Sequence, residues 1–181
     1  MIRLSNTGDV IWEKFYGGFD NDLANSVTEV SDGFIFVGYS HGVDMGNILN
    51  EHIDLWVVKI GFDGEILWEE TIGGTSTDSS FDIIETRGGD LAITGTTKSR
   101  TSDWPIVGQG DLVFIKLSPE GTLLNSKSYG TEFYDVGLKI LEEEDGDFII
   151  GGSRSRGENG IFENPESVSY THLTLPTTPY V

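Results

Sequence analysis

The segment DLWVVKIGFDGEILWEETIGG, residues 54–74, returns in most of its pattern as DLVFIKLSPEGTLLNSKSYGT at residues 111–131. Laid over one another and over the start of the chain, these copies put Gly8, Gly64 and Gly121 in register, at separations of 56 and 57 residues. Arg3, Lys59 and Lys116 precede those glycines by five positions, and Trp12 and Trp68 follow by four, with Asn125 in the third copy. Gly17-Gly18 returns as Gly73-Gly74 and as Gly130-Thr131; Gly38, Gly95 and Gly152 recur at 57; Asp54 matches Asp111. A fixed period of this size restricts the chain to a solenoid, a propeller or an array.

Inside one period the signals are those of strands. SVTEV, GFIFVGYS, DLWVVKI and EILWEETI are short runs rich in Val, Ile, Phe, Trp and Thr, punctuated by Gly and Asp. The first two strands join at Ser31-Asp32-Gly33 and the last two at Phe62-Asp63-Gly64, where Asp-Gly supplies positive backbone φ at low cost. Each period therefore reads as a four-stranded antiparallel meander. LWVV at 55–58 and LVFI at 112–115 are apolar on consecutive positions, hence on both faces of a strand. Such a strand must be covered from both sides, and a radial stack of like sheets does this. The expected fold is all-β, a partial β-propeller: an open arc of four-stranded antiparallel blades, with two complete blades and half-blades at each end. In that frame Gly17, Gly18, Gly73 and Gly74 let the chain leave one blade and enter the next. Gly38, Gly95 and Gly152 end the second strand, where backbones crowd. Trp12 and Trp68 are inter-blade packing.

The complete blades span about 23–73 and 80–130, flanked by partial blades at 2–17 and 134–155, the last holding a first and second strand only. This count does not close a ring, and residues 1–166 are expected to be a propeller fragment of a longer protein whose remaining blades complete it. The tail SVSYTHLTLPTTPYV breaks the period. Val168 to Thr177 resembles the conceptual translation of a sequencing-library transposase adapter, so residues 167–181 are set aside as a non-native tail and His172 is given no role.

The 181 residues, 37% hydrophobic and 11% aromatic, suit one globular domain. Eleven Lys and Arg against 30 Asp and Glu give a formal charge of -19, which would repel nucleic acid and anionic membrane surfaces. The absence of cysteine removes disulfides, thiolate metal sites and cysteine nucleophiles. No apolar stretch approaches the roughly 20 residues that span a bilayer, so no membrane insertion is expected.

WEKFYGGFDND, DGFIFVGYS and DLWVVKIGFDGEILWEETIGG together resemble the bacterial β-propeller repeats of large secreted or surface-anchored proteins, over residues 2 to about 155. Members are often extracellular and often labelled lectin-like, so the resemblance implies an extracellular or cell-surface location and allows glycan binding. Asn125 for Trp and Thr131 for Gly depart from the pattern and imply a looser third interface. The stretches Gly8 to Trp12 and Gly64 to Trp68 also look like the tryptophan-docking turn of quinoprotein propellers, and the Asp63-Gly64 hairpin is similar to the aspartate-box turn of sialidases. Both are packing devices and carry no catalysis with them.

Strand alternation puts the Asp-Gly hairpins at one end of a blade and the longer connections, 40–53 and 98–110, at the other. Long loops in a tight repeat usually have a task. On that face Trp104, beside Pro105, is suited to stacking on a sugar ring or a partner side chain. Asp103, Gln109, Asp44 and Asn47 are the neighbouring polar candidates for a glycan or protein ligand. His41, Asp44, Glu51 and His52 are weak candidates for a divalent metal. Asp20, Asp22 and Asp78, with Ser79 and Ser80, could offer oxygens to Ca²⁺, although capping of a turn explains them more simply. The acidic run Glu142 to Phe148 reads as a solvated turn rather than an acid and base pair, because adjacent strand residues face opposite ways. No catalytic triad, phosphate loop or required cofactor emerges. The expected function is a non-catalytic scaffold, adhesion or protein-interaction module. The alternatives are a carbohydrate-binding propeller and part of a propeller hydrolase whose catalytic groups lie in other blades.

Overall fold

A computed structural model describes residues 1–18, 21–41 and 53–155 with their side chains, and the backbone of 169–173. Among the described residues every regular element is a strand. The first sheet pairs β1 (Ile2–Leu4) with β2 (Val10–Glu13). The second is a meander of β3 (Leu23–Val30), β4 (Gly33–His41), β5 (Ile53–Gly61) and β6 (Ile66–Ile72), hydrogen-bonded in that order. The third repeats it with β7 (Asp78–Glu85), β8 (Leu91–Thr97), β9 (Asp111–Leu117) and β10 (Leu123–Tyr129). The fourth orders β11 (Tyr134–Glu142), β12 (Phe148–Ser155) and β13 (Ser169–Leu173). All of these strand pairs are antiparallel. The all-β class and the four-stranded antiparallel unit are as the sequence pattern requires.

Apolar residues at consecutive positions divide between two cores. On β4, Ile35 and Val37 enter the core between the second and third sheets, while Phe36 enters the one toward the first. On β5, Leu55 and Val57 take the former side and Trp56, Val58 and Ile60 the latter. The third sheet does the same: Val113, Ile115 and Leu117 face the second sheet, whereas Leu112 and Phe114 face Ile140, Phe148 and Ile150 of the fourth. Full burial of each such side chain contributes roughly 1.5–3 kcal/mol, and none of it is available to a sheet standing alone. The four sheets are therefore stacked face to face in chain order.

The tryptophans join neighbours at the hairpin end. Trp12 of the first sheet donates its indole N–H to the Phe62 carbonyl of the second at 3.0 Å, and Trp68 donates to Pro119 of the third at 3.2 Å. The receiving turns are built alike, with Gly8, Gly64 and Gly121 at φ of 88°, 81° and 88°. A Cβ on Gly121 would also stand 3.2 Å from the Trp68 ring, so the glycine serves both the turn and the docking.

Three expectations need correction. Gly33 does not supply positive φ to the first hairpin; it begins β4, where a Cβ would fall on the Ile60 carbonyl oxygen, so close approach of β5 demands the glycine. In the later copies of that hairpin the left-handed residues are Gly89 and Gly146. Second, Gly38, Gly95 and Gly152 lie within their strands, each opposite a β-bulge of the first strand, at Ala24/Ser26, Ser80/Asp82 and Gly137/Lys139. The bulge thrusts a carbonyl, from Leu23, Ser79 or Val136, into the space a Cβ would need. Third, the fourth sheet has a third strand, β13, drawn from residues set aside in the sequence. Ladder bonds are made by backbone, so an open strand edge accepts a short β-prone segment with little regard for its side chains. The pairing is shallow, with Phe148, Ile150 and Gly151 in register.

Gly95→Ala is expected to cost about 3 kcal/mol or more, because the obstructing atom is a ladder carbonyl. Gly89→Ala, with open space around it, is expected to cost only the left-handed strain of about 1–2 kcal/mol. Urea titration of both variants checks the ranking, and a larger loss in Gly89→Ala contradicts it.

Candidate functional site

The side chains with chemical potential fall into rows that follow the 56- and 57-residue spacing. Asp22, Asp78 and Asp135 open or precede the first strand of successive sheets. Each accepts a hydrogen bond from the backbone N–H four residues earlier: Gly18 at 2.7 Å, Gly74 at 3.0 Å and Thr131 at 2.7 Å. Each also takes a donor from the second strand or the residues just after it. Ser40 serves Asp22 at 2.5 Å, Thr97 and Ser99 serve Asp78 at 2.5 and 2.6 Å, and the Arg154 guanidinium serves Asp135 at 2.8 Å. Asp78 further receives the N–H groups of Lys98 and Ser99. A carboxylate has about four lone-pair sites, and five donors already converge on this buried one. Its expected capping role is what the geometry supplies, and a cation there would have to displace donors that point inward.

A second row heads the third strands. A Cβ on Gly73 would collide with the Asp54 carboxylate, and one on Gly130 with that of Asp111. The exit glycines are thus needed for the space an aspartate occupies as well as for the turn. Asp111 is 1% exposed and accepts from Val107 N–H at 3.1 Å and Gly108 N–H at 3.4 Å. Burial pushes its pKa above the ordinary carboxylate value, the two backbone donors pull it down, the Asp135 charge raises it again and Arg100 opposes that.

The third row escaped sequence reasoning although its spacing was on view. Ser26, Asp82 and Lys139 occupy matching positions on β3, β7 and β11. Ser26 donates to Asp82 at 2.9 Å, Lys139 pairs with it at 2.9 Å, and Ile140 N–H reaches its other oxygen at 3.0 Å. Asn25 and Ser80 add bonds to the Ser80 and Gly38 carbonyls. First strand is tied to first strand across two sheet boundaries.

Trp104 is corrected most. Instead of presenting a ring to solvent it is 3% exposed, inside the core between the second and third sheets with Ile35, Leu55, Ile93 and Val113. The β8–β9 connection curls inward: Trp104 N–H donates to Thr101 Oγ1, and its carbonyl accepts from Ile106 N–H. The apolar surface of an indole outweighs the polarity of its loop; its buried Nε1 has no hydrogen-bond partner among the described residues. Asp103 and Gln109 are exposed on the same connection. His41 ends β4 half-buried. Asp20, Asp44, Asn47, Glu51 and His52 lie outside the described residues. Among the described residues no group of three or more His, Asp or Glu side chains is placed to hold a metal ion. The acidic hairpin at 142–147 is only partly solvated, since Arg87 donates its backbone N–H to Glu142 and its guanidinium to the Glu143 carbonyl.

What these rows do chemically is hold sheets to loops and to one another. No protein-family model matches the chain, and no curated protein matches it.

Two outcomes follow from the carboxylates. Asp78→Ala leaves several buried donors unmade, at roughly 1–3 kcal/mol each, so its unfolding free energy should drop far below that of exposed Asp103→Ala; equal losses in denaturant titration contradict this. Because the folded chain holds the Asp111 proton more tightly than the unfolded chain, Asp111 favours folding most when protonated. That advantage fades as pH rises from the ordinary value near 3.8 through the raised one. The stability difference between wild type and non-titrating Asp111→Asn should therefore move toward wild type on acidification from neutrality to about pH 4 and stay flat above neutrality; a shift the other way refutes the assignment.

Proposed function

We propose that the stacked sheets are blades of a β-propeller and that the chain is a non-catalytic scaffold, adhesion or protein-interaction module of a larger secreted or cell-surface protein. The radial reading is supported by the packing of β7 on β3 and of β11 on β7, which brings the first strands of successive sheets side by side. The observation that carries the functional reading is the use made of polar side chains. Asp22, Asp78, Asp82, Asp111 and Asp135 are committed to structural bonds between strands, loops and sheets. A rigid body made this way would present the 98–110 connection at one end of its sheets, with exposed Asp103 and Gln109 available to a protein partner. The charge of -19 directs the module toward neutral or basic partners and away from nucleic acid.

The glycan-binding alternative loses its stacking platform with the burial of Trp104 and rests on Asp103, Gln109 and loop residues outside the described set. A glycan panel probed with the intact chain separates the two readings. The expected result is no saturable binding, and Trp104→Ala is expected to lower stability by about 3–5 kcal/mol through the cavity it leaves. Saturable glycan binding that Asp103→Ala or Gln109→Ala abolishes at unchanged Tm would replace the scaffold reading with a lectin one.

A further inference from the structure

Three outer strands repeat one exposed feature. β2, β6 and β10 each open, just after a glycine turn, on a pair of apolar residues: Val10-Ile11, Ile66-Leu67 and Leu123-Leu124. All six are between 47% and 59% exposed. The second and third sheets carry a neighbour on each face, so their pairs stay in water within the assembled stack. β6 and β10 are also edge strands, hydrogen-bonded on one side.

The backbone sets the second residue of each pair apart. Val10 and Trp12 stand opposite Leu4 and Arg3, Ile66 and Trp68 opposite Ile60 and Lys59, and Leu123 and Asn125 opposite Leu117 and Lys116. Ile11, Leu67 and Leu124 are each left as the extra residue of a bulge, a device that re-aims a side chain. In the first two copies the following tryptophan docks on the next turn, and that docking alone would account for the bulge. The third copy has Asn125 in its place, yet it keeps both the bulge and the leucine pair. The apolar pairs therefore answer to something other than the docking.

We propose that these pairs form a docking row for a basic, extended polypeptide segment of a partner protein, laid across the outer strands. Charge selects that occupant. Asp9, Glu13, Glu65, Glu69, Glu70 and Glu120 are exposed on or beside the three strands, against Lys14 and Lys127, and Lys14 is already paired with Glu65. An anionic lipid surface and a second copy of this chain, itself at -19, are both repelled. Spacing sets the segment's pattern. Sheets packed face to face lie about 10 Å apart, which about three residues of extended chain span. One apolar residue in three, with Lys or Arg between, would meet successive pairs while its charges meet the acids. The row lies at the glycine-turn end, away from the 98–110 connection, so the scaffold reading survives its failure.

The test is calorimetric titration of the full chain with a synthetic peptide of four Leu-Lys-Lys repeats, and with Ser-Lys-Lys repeats as the charge-matched control. Leu-Lys-Lys should bind saturably and about tenfold more tightly, since apolar burial is added to the same charge. Leu67→Ser and Leu124→Ser together should remove about that tenfold at unchanged Tm, whereas Val27→Ser, at a 53% exposed position on β3, should leave the affinity as it was. Glu69→Lys with Glu70→Lys should weaken both peptides by on the order of tenfold and flatten their dependence on salt. Equal affinity for the two peptides, a result that needs no variant, overturns the row, as does binding that ignores the two leucine substitutions. Saturable binding to phosphatidylserine vesicles instead of the peptide would assign the row to a membrane and overturn it too.

Discussion

Everything in this structure depends on one constraint: the central strands are apolar on both faces, so no sheet can satisfy itself. Phe36 and Ile35 are neighbours in sequence and belong to different cores, as do Trp56 and Leu55 or Phe114 and Val113. Face-on stacking is the arrangement that removes both faces from water while leaving the ladders intact. The repeated segment is the covalent record of that requirement, since each unit must present to the next the surface that the previous unit presented to it.

Stacking by itself would leave sheets free to slide, because apolar contact is non-directional. Direction comes from a sparse polar framework placed at both rims and along the first strands. Trp12 and Trp68 fix the hairpin rim to the next carbonyl, and the Ser26–Asp82–Lys139 row fixes first strand to first strand. Buried carboxylates suit this task because they accept several short, charge-assisted bonds at once. They tolerate burial only while those donors remain, which couples loop position to sheet integrity. Asp78 joins the entry loop to the end of β8 in a single group.

This division of labour bears on function. A carboxylate saturated by N–H and O–H donors is a poor base and a poor metal ligand, so the periodic acids are absorbed by architecture. The proposed module would present the 98–110 connection on a rigid rim, which lowers the entropy lost on binding a partner.

Much of this was legible in the residues alone. Strand number per unit, hairpin ends, the docking tryptophans and the two-faced cores all follow from short-range pattern and spacing, because ladder geometry and face alternation are local properties. Asp82 and Lys139 were equally in register, yet nothing local says that a bulge turns them toward the adjoining strand. Gly38 was assigned to crowding, but which atom crowds it, the Leu23 carbonyl, is set by a neighbouring strand; Gly33 was assigned to a turn, and it is the Ile60 carbonyl of β5 that demands it. Trp104 shows the limit best, since a polar loop implied a solvent-facing ring, and only the seam between two sheets, some 50 residues apart in the chain, offers the apolar volume that takes it in. Pattern determined which surfaces must be covered; the tertiary structure decided what covers them, because burial is a property of neighbours brought together by folding.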